Sequence, residues 1–569
     1  MTADMILRLN YQSFYNGSSE TIKELLDPIN KIELLRSACH LIAVSKNDET
    51  SHSTIDKWFS NPEKGALLKV KAPVNTSIIN VTSGLRLLSY ILAKEDVDST
   101  LVINTDDFEE RLFKAFLLLN SEQDQIEEEG QKNLPPQGDD ELLSASLLGI
   151  SYHDYDLQNY DLNEIFIVQL MKSIDFFLFL EGDSLFKEHL AKFLNNYGCD
   201  SWQQWIIRIL GLLVPALRHN DDNYSEVIVE HNQDFEVNIN FLDLFSAPLD
   251  YLEVPDFVNI RSRPLVRIND STFLIINKQF LIERIHKSIV FEFSLKINEE
   301  VSLGSRIKNF RSLYCDSFSE QVLLYKTLYN CFPKKGDWKK HTGENFKSAG
   351  YSGEPDMYVR FKNKILLFES KDVILKGNEK QSRDFSILSK AFKEKFLKIV
   401  KDDKTTNKAI MQIITNIRRV FDKYYKEIDI DYKLESLRIY PILVTHDRQF
   451  DSLEFNRLLN LWFKKELAHN FSTDEVVRIQ PLTVINIDSL ILYQSHFRQR
   501  GEYGLEMLIE QYHHHIKLGS VRGIKAFEKM YLDTAISFSD FLRDAYRHNK
   551  TKLIPTNLDD YISVLKLKE

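Results

Sequence analysis

Cysteine is nearly absent from this 569-residue chain, and Cys39, Cys199, Cys315 and Cys331 stand far apart with no CxxC pair. That spacing excludes a disulfide framework and a thiolate zinc site and fits a reducing cytosol. Proline (14) and glycine (19) are too sparse for a fibrous or low-complexity chain. Long uninterrupted apolar runs are missing too. The two most apolar stretches, IFIVQLMKSIDFFLFL (165–180) and IIRILGLLVPAL (206–217), are broken by Gln, Lys and Asp or are too short to cross a bilayer, and they read as buried helices. The opening MTADMILRLNYQ has neither the basic head nor the apolar core of a signal peptide. Neither GxxxxGK[ST] nor a strand-borne GxGxxG occurs, so no nucleotide-binding loop is expected, and no internal repeat is visible. The expectation is a cytoplasmic protein of about three or four domains.

Net positive charge is lacking overall, since the formal net charge is −11. The sum hides an asymmetry. Residues 301–440 hold 29 Lys or Arg against 18 Asp or Glu, a local +11, so the remainder carries −22. Affinity for a polyanion depends on local cation density, and a basic segment within an acidic chain supplies it. The plainer alternative is a solvated basic face with no ligand.

Patterning divides the chain. Residues 1–120 mix helical patterns such as TIKELLDPINKIELLRSACHLI with a β-like run, SIINVTSG, and form a mixed helical N-terminal domain. The acidic, Pro-containing stretch 121–143 reads as a flexible linker. A helical domain is expected over 144–230 and a mixed α/β connecting module over 231–300, where RPLVRIN and TFLIINKQFLIERIH alternate. The tail, 501–569, is helical in period and reads as a capping or partner-binding element.

Within 301–500 the order of elements carries information. A helix pattern, DSFSEQVLLYKTLYNCF (316–332), bears Glu320 in its first turns and is followed by a polar basic loop, PKKGDWKKHTGENFKSAGYSGEP. DMYVRF and ILLFESKD then read as two strands joined by a hairpin. Helical SILSKAFKEKFLKIV and NKAIMQIITNIRRVFDKYY lead to another strand, RIYPILVT (438–445). The fold class is therefore α/β.

Residues two apart on a strand share a face, so Glu369 and Lys371 project together, and an antiparallel hairpin brings Asp356 beside them. Two carboxylates this close repel unless a cation separates them, and hard oxygen donors suit Mg²⁺, with Mn²⁺ as the second choice. A lysine at such an ion can orient a water or help to deprotonate it. This is equipment for phosphodiester hydrolysis.

The pattern resembles the PD-(D/E)XK, or restriction-endonuclease-like, nuclease superfamily over about residues 305–445. Pro355-Asp356 matches PD, and Glu369-Ser370-Lys371 matches (D/E)XK. The resemblance implies a core of helix, small mixed sheet and flanking helices, attached here to mainly helical N-terminal domains. It also implies metal ligands Asp356, Glu369 and the Ser370 carbonyl, a catalytic Lys371, supporting roles for Glu320 and Gln412, and a role as a Mg²⁺-dependent endonuclease on DNA rather than RNA. A nuclease tethered to large extra domains further resembles restriction and antiviral defence proteins. The competing class is a non-catalytic nucleic-acid-binding or scaffold protein.

Basic residues around the motif are candidates for phosphate contacts: Lys335, Lys340, Lys376, Lys380, Arg383, Arg418 and Arg419. His513, His514 and His515 point in different directions on a helix and are not expected to share a metal. Asp447 and Arg448 follow a strand end, where α/β sites often lie, but read as a turn. Helices at either end offer surfaces for a protein partner or a second copy.

Overall fold

The computed structural model describes residues 7–17, 20–45, 50–95, 104–158, 160–218, 226–248, 255–333, 336–401, 404–499, 504–548 and 554–565. A five-stranded mixed sheet is built from β1 (Trp338–Thr342), β2 (Met357–Phe361), β3 (Lys364–Lys371), β4 (Arg438–Thr445) and β5 (Thr483–Asn486), with apolar and β-branched runs in all but the edge strand β1. Their spatial order is β5-β4-β3-β2-β1; β1 to β3 pair antiparallel, whereas β3, β4 and β5 run parallel. β3 and β4 are interior strands covered on both faces, which is why their sequences are nearly continuous apolar runs.

Alternation along β3 sends Leu366 and Phe368 to one face and Ile365 and Leu367 to the other. The first face packs against three groups of helices: α1 (Leu162–Gly182), the consecutive helical segments Phe310–Leu313, Tyr314–Leu324 and Tyr325–Cys331, and α4 (Ile487–Phe497). The second packs against α2 (Ala409–Phe421) and α3 (Phe455–Asn470). The charges that interrupt α1 are paired inside this core. Lys172 binds Asp488, and Asp175 accepts from Lys326 at 2.6 Å and from the Tyr561 hydroxyl at 2.8 Å. Among the described residues no helix is long and apolar enough to cross a membrane.

Pro441 lies inside β4, where a missing N–H would ordinarily break a ladder. It falls between the Ile439–Ile479 bridge and the start of β5 pairing at Ile442, so no strand bond is lost there. The β2–β3 turn is the two residues Lys362 and Asn363, with Lys362 in the left-handed region at φ 54°.

Several sequence expectations are corrected. The stretch 121–143 is no linker over its first half. A helix runs over Thr105–Gln131, capped by Asn104, whose side chain accepts the Asp107 N–H at 2.9 Å. Glu and Gln form helix well without an apolar face, and Arg8 and Arg383 both pair with Glu127 on this helix. SIINVTSG contributes only Ser77 to the short strand Thr76–Ser77, and its second half opens helix Val81–Ala93. The basic loop contains β1 and helix Gly343–Ser348, and the chain leaves its helix after Leu397 to form a ribbon in which Lys398–Lys401 pairs with Lys404–Asn407. In the tail, Tyr512, Phe538, Leu542 and Tyr561 share the core that covers the first sheet face, as a capping element does. The connecting module joins two cores: Phe273 and Ile275 of one strand enter the sheet core, and Leu274 enters the N-terminal one.

Candidate functional site

The register of the hairpin sets Met357 opposite Phe368, which places Asp356 against the end of β3. Asp356 Oδ2 accepts the Ser370 N–H at 2.6 Å. An extended residue directs its N–H and C=O toward the same neighbour, so the Ser370 carbonyl faces the Asp356 side as well. On the face shared by alternate residues, Lys371 Nζ donates to Glu369 Oε1 at 2.6 Å. The three signature side chains thus meet at one strand end.

Glu369 is 1% exposed, and its Oε2 has no hydrogen-bond partner among the described residues. A buried carboxylate oxygen left unpaired costs roughly 1–3 kcal/mol or more. Burial raises the Glu369 pKa against the opposing pull of Lys371. Asp356 keeps some solvent contact yet is crowded by protein, and burial together with the Glu369 charge raises its pKa too. The pair therefore holds protons more tightly than free carboxylates do. Burial disfavours the Lys371 charge, but Glu369 and Asp356 outweigh it and raise its pKa. Lys371 is an ammonium at neutral pH, equipped to orient a water and not to take its proton.

Glu320 enters from the segment Tyr314–Leu324, whose wide, π-type turns bring residues five apart into contact; the Tyr325 hydroxyl donates to Glu320 Oε1 at 2.8 Å. Burial, and then the Asp356 charge, push Glu320 up to about 7, against the Tyr325 hydrogen bond. Gln412 lies on α2, the helix covering the face that Glu369 and Lys371 share, but among the described residues no hydrogen bond joins it to Asp356, Glu369 or Lys371. Asp356, Glu369 and Glu320 perturb one another's charge without closing into a three-ligand cluster: among the described residues no three His, Cys, Asp or Glu side chains are grouped to hold a metal. His513 bonds Thr483 Oγ1 at 2.8 Å, while His514 and His515 are exposed, so the triplet diverges as helix geometry requires.

The structure separates the basic candidates. Lys376 is exposed just beyond β3. Lys340 donates to the Pro333 carbonyl at 3.0 Å and sits 5.4 Å from the Tyr329 ring centre. Lys335 lies outside the described residues. Lys380 and Arg383 are corrections, because both are buried. Lys380 lies between Asp156 at 2.8 Å and Asp256 at 2.6 Å, and Arg383 holds Glu127 at 2.6 Å and the Gln123 carbonyl at 2.8 Å. Arg418 is committed to Glu475 at 2.7 Å and the Asn470 carbonyl at 2.5 Å. Arg419 is committed to the Gly353 carbonyl and lies 5.2 Å from the Tyr424 ring centre. Burial and acid partners leave Lys380 and Arg383 no capacity for a phosphate, whereas Arg418 and Arg419 stay half-exposed beside their partners.

The opposite face of β3 was not singled out from sequence. Ser370 Oγ meets His446 Nε2 at 2.8 Å, and Asp372 accepts the Ser319 hydroxyl at 2.5 Å and pairs with Arg311. The period of two that put Glu369 and Lys371 together was the available signal for Ser370 and Asp372. Comparison with protein-family models, with curated proteins and with solved structures gives no match.

Proposed function

We propose that the chain is a metal-dependent nuclease of the PD-(D/E)XK kind, acting on DNA in preference to RNA, with the five-stranded sheet and its flanking helices as the nuclease core. The observation that carries this reading is the buried, unpartnered Oε2 of Glu369 beside a second strained carboxylate, Asp356, and an amine, Lys371, at one strand end. The donor set fits Mg²⁺ or Mn²⁺, since all of its atoms are hard oxygens and the repulsion between the acids is relieved by a divalent charge. Asp356, Glu369 and the Ser370 carbonyl would hold the ion. Bound there, it supplies charge neutralisation at the phosphoryl oxygens and acidifies a water for attack.

The protein's own groups do the rest. Lys371, fixed on Glu369, donates to the attacking water or to a non-bridging phosphate oxygen and sets its line of approach. Glu320, pushed up to about 7, is poised to exchange a proton near neutral pH. Lys376 lies on the exposed surface past β3, available to the strand backbone.

The test is incubation of the full chain with DNA and with RNA in Mg²⁺ or in EDTA. Cleavage that needs the ion, and that falls at least about 100-fold in Lys371→Ala and Asp356→Ala, supports the reading. Equal binding by all three proteins with no cleavage supports the scaffold class instead.

A further inference from the structure

A cavity of about 60 Å³ lies where the three parallel strands end, on the side of β3 opposite Glu369 and Lys371. It has room for a few waters or one small polyatomic ion. Asp372 follows β3, His446 to Arg448 follow β4, and Asp488 opens α4 after β5. The facing wall comes from Lys172 on α1 and from His286 and Lys287, where helix Lys287–Glu292 begins. The crevice outside the carboxyl ends of parallel strands is the general ligand position in α/β sheets.

The wall holds four carboxylates; Glu283 accepts from Gln279 at 3.3 Å and lies 3.7 Å from Arg261, and the other three are fully engaged. Asp447 takes Lys287 at 2.9 Å and the Gln449 N–H at 3.0 Å. Asp488 takes Lys172 and, at 2.8 Å, Arg448. Asp372 takes Arg311 and Ser319. In each, burial works against the charge, yet the neighbouring cations hold the pKa below the usual range.

The donors are not exhausted. Arg448 is 8% exposed, and its Nη1 has no hydrogen-bond partner among the described residues. Lys172 and Lys287 carry three N–H donors each and make one side-chain ion pair apiece. Lys287 and His446 keep partial accessibility although protein surrounds them, as side chains facing a lumen do. Buried donors without acceptors cost free energy until something fills the space between them.

We propose that this cavity binds a small tetrahedral oxyanion of the phosphate type, held by Arg448, Lys287 and Lys172. The oxygens of such an anion are acceptors only, matching the surplus of donors, whereas a metal cation would meet three carboxylates already held by cations. The site stands apart from the nuclease reading. It touches that chemistry at two points, since Asp372 in its wall is the residue after Lys371 and His446 in its wall meets the Ser370 hydroxyl at 2.8 Å.

The experiment follows the thermal stability and binding heat of the full chain in EDTA, with inorganic phosphate titrated against chloride at matched ionic strength. The wild-type protein should gain saturable stability from phosphate and none from chloride. Lys287→Gln and Arg448→Gln should each weaken phosphate binding at least tenfold, with Lys287→Gln, at a partly accessible position, serving if Arg448→Gln does not fold. Lys426→Gln, on the exposed surface, should bind as wild type does. A nucleoside 5′-monophosphate that competes, with the same dependence on Lys287, identifies a phosphomonoester as the ligand; failure to compete identifies the free ion. Asp356→Asn should keep phosphate binding, which separates this site from any failure at the strand end. No stabilisation beyond chloride, or stabilisation that both cavity variants retain, overturns the proposal.

Discussion

Lys371 Nζ lies 2.6 Å from Glu369 Oε1, while the other oxygen of that buried carboxylate has no partner among the described residues. The lysine attracts both acids, but repulsion between Glu369 and Asp356 still raises the Asp356 pKa. Relief of that repulsion gives the first prediction. Asp356→Asn keeps an acceptor for the Ser370 N–H and removes one charge. In EDTA at pH 8 it should be more stable than wild type by about 1 kcal/mol, and in Mg²⁺ it should lose cleavage. Chemical denaturation beside a cleavage assay checks both halves; a destabilised Asp356→Asn would show that the acids are not in conflict.

A pH effect is expected far from the motif. Asp451 accepts from the Ser539 hydroxyl at 2.9 Å, and burial and the facing Asp540 push its pKa up to about 8, against Ser539 and Arg543. The unfolded chain releases this proton near pH 4, whereas the folded protein keeps it until about 8. The group's stabilising contribution is therefore present below pH 4 and is lost progressively as pH rises from about 4 to 8. Asp451→Asn retains the hydroxyl bond and cannot ionise, so its stability should fall less than that of wild type over this window. Urea unfolding at pH 5 and pH 8 measures the difference.

Lys380 is a structural clamp, not a phosphate contact. Between Asp156 and Asp256 it neutralises two acids contributed by earlier parts of the chain, and Arg261 reaches the same pair at 3.1 and 3.0 Å. Lys380→Met leaves Arg261 to compensate both carboxylates and should cost about 3 kcal/mol, with Asp256→Asn in the same chain restoring part of it. Nucleic-acid affinity should not change in the folded fraction, whereas Lys376→Ala should lower the salt slope of binding by about 1.

Gly130 makes a prediction whose sign opposes helix propensity. An alanine in place of a helical glycine normally gains about 1 kcal/mol. Here a Cβ would stand 2.2 Å from the Arg383 carbonyl oxygen, a backbone atom that cannot swing aside. Gly130→Ala should therefore lower the melting temperature, whereas Gly182→Ala, whose Cβ would meet nothing within 4 Å, should not.

What was legible in the sequence follows from locality. β2, β3 and β4 were readable because alternation and continuous apolar runs are properties of neighbouring residues, and the meeting of Asp356, Glu369 and Lys371 needed only the register of one hairpin. β1 was missed because WKKHT is an edge strand, where water tolerates lysines, and β5 because TVIN is four residues long. The helix through Gln131 was hidden by weighting its polarity above the helix propensity of Glu and Gln. Lys380 and Arg383 looked like solvated charge because their carboxylate partners lie between 124 and 256 residues away. The polar cavity is assembled from segments beginning near residues 169, 283, 311, 372, 446 and 488, and no local pattern marks such a convergence.

On the proposed reading, the strand end completes its coordination with a divalent ion and a phosphate. Calorimetric titration of Mn²⁺ into the full chain, with an uncleavable phosphorothioate DNA present to supply phosphate oxygens, tests it most directly. Saturable binding that Asp356→Asn and Glu369→Gln each weaken at least tenfold is the predicted result. Binding that neither substitution alters, or no saturable binding at all, would contradict it.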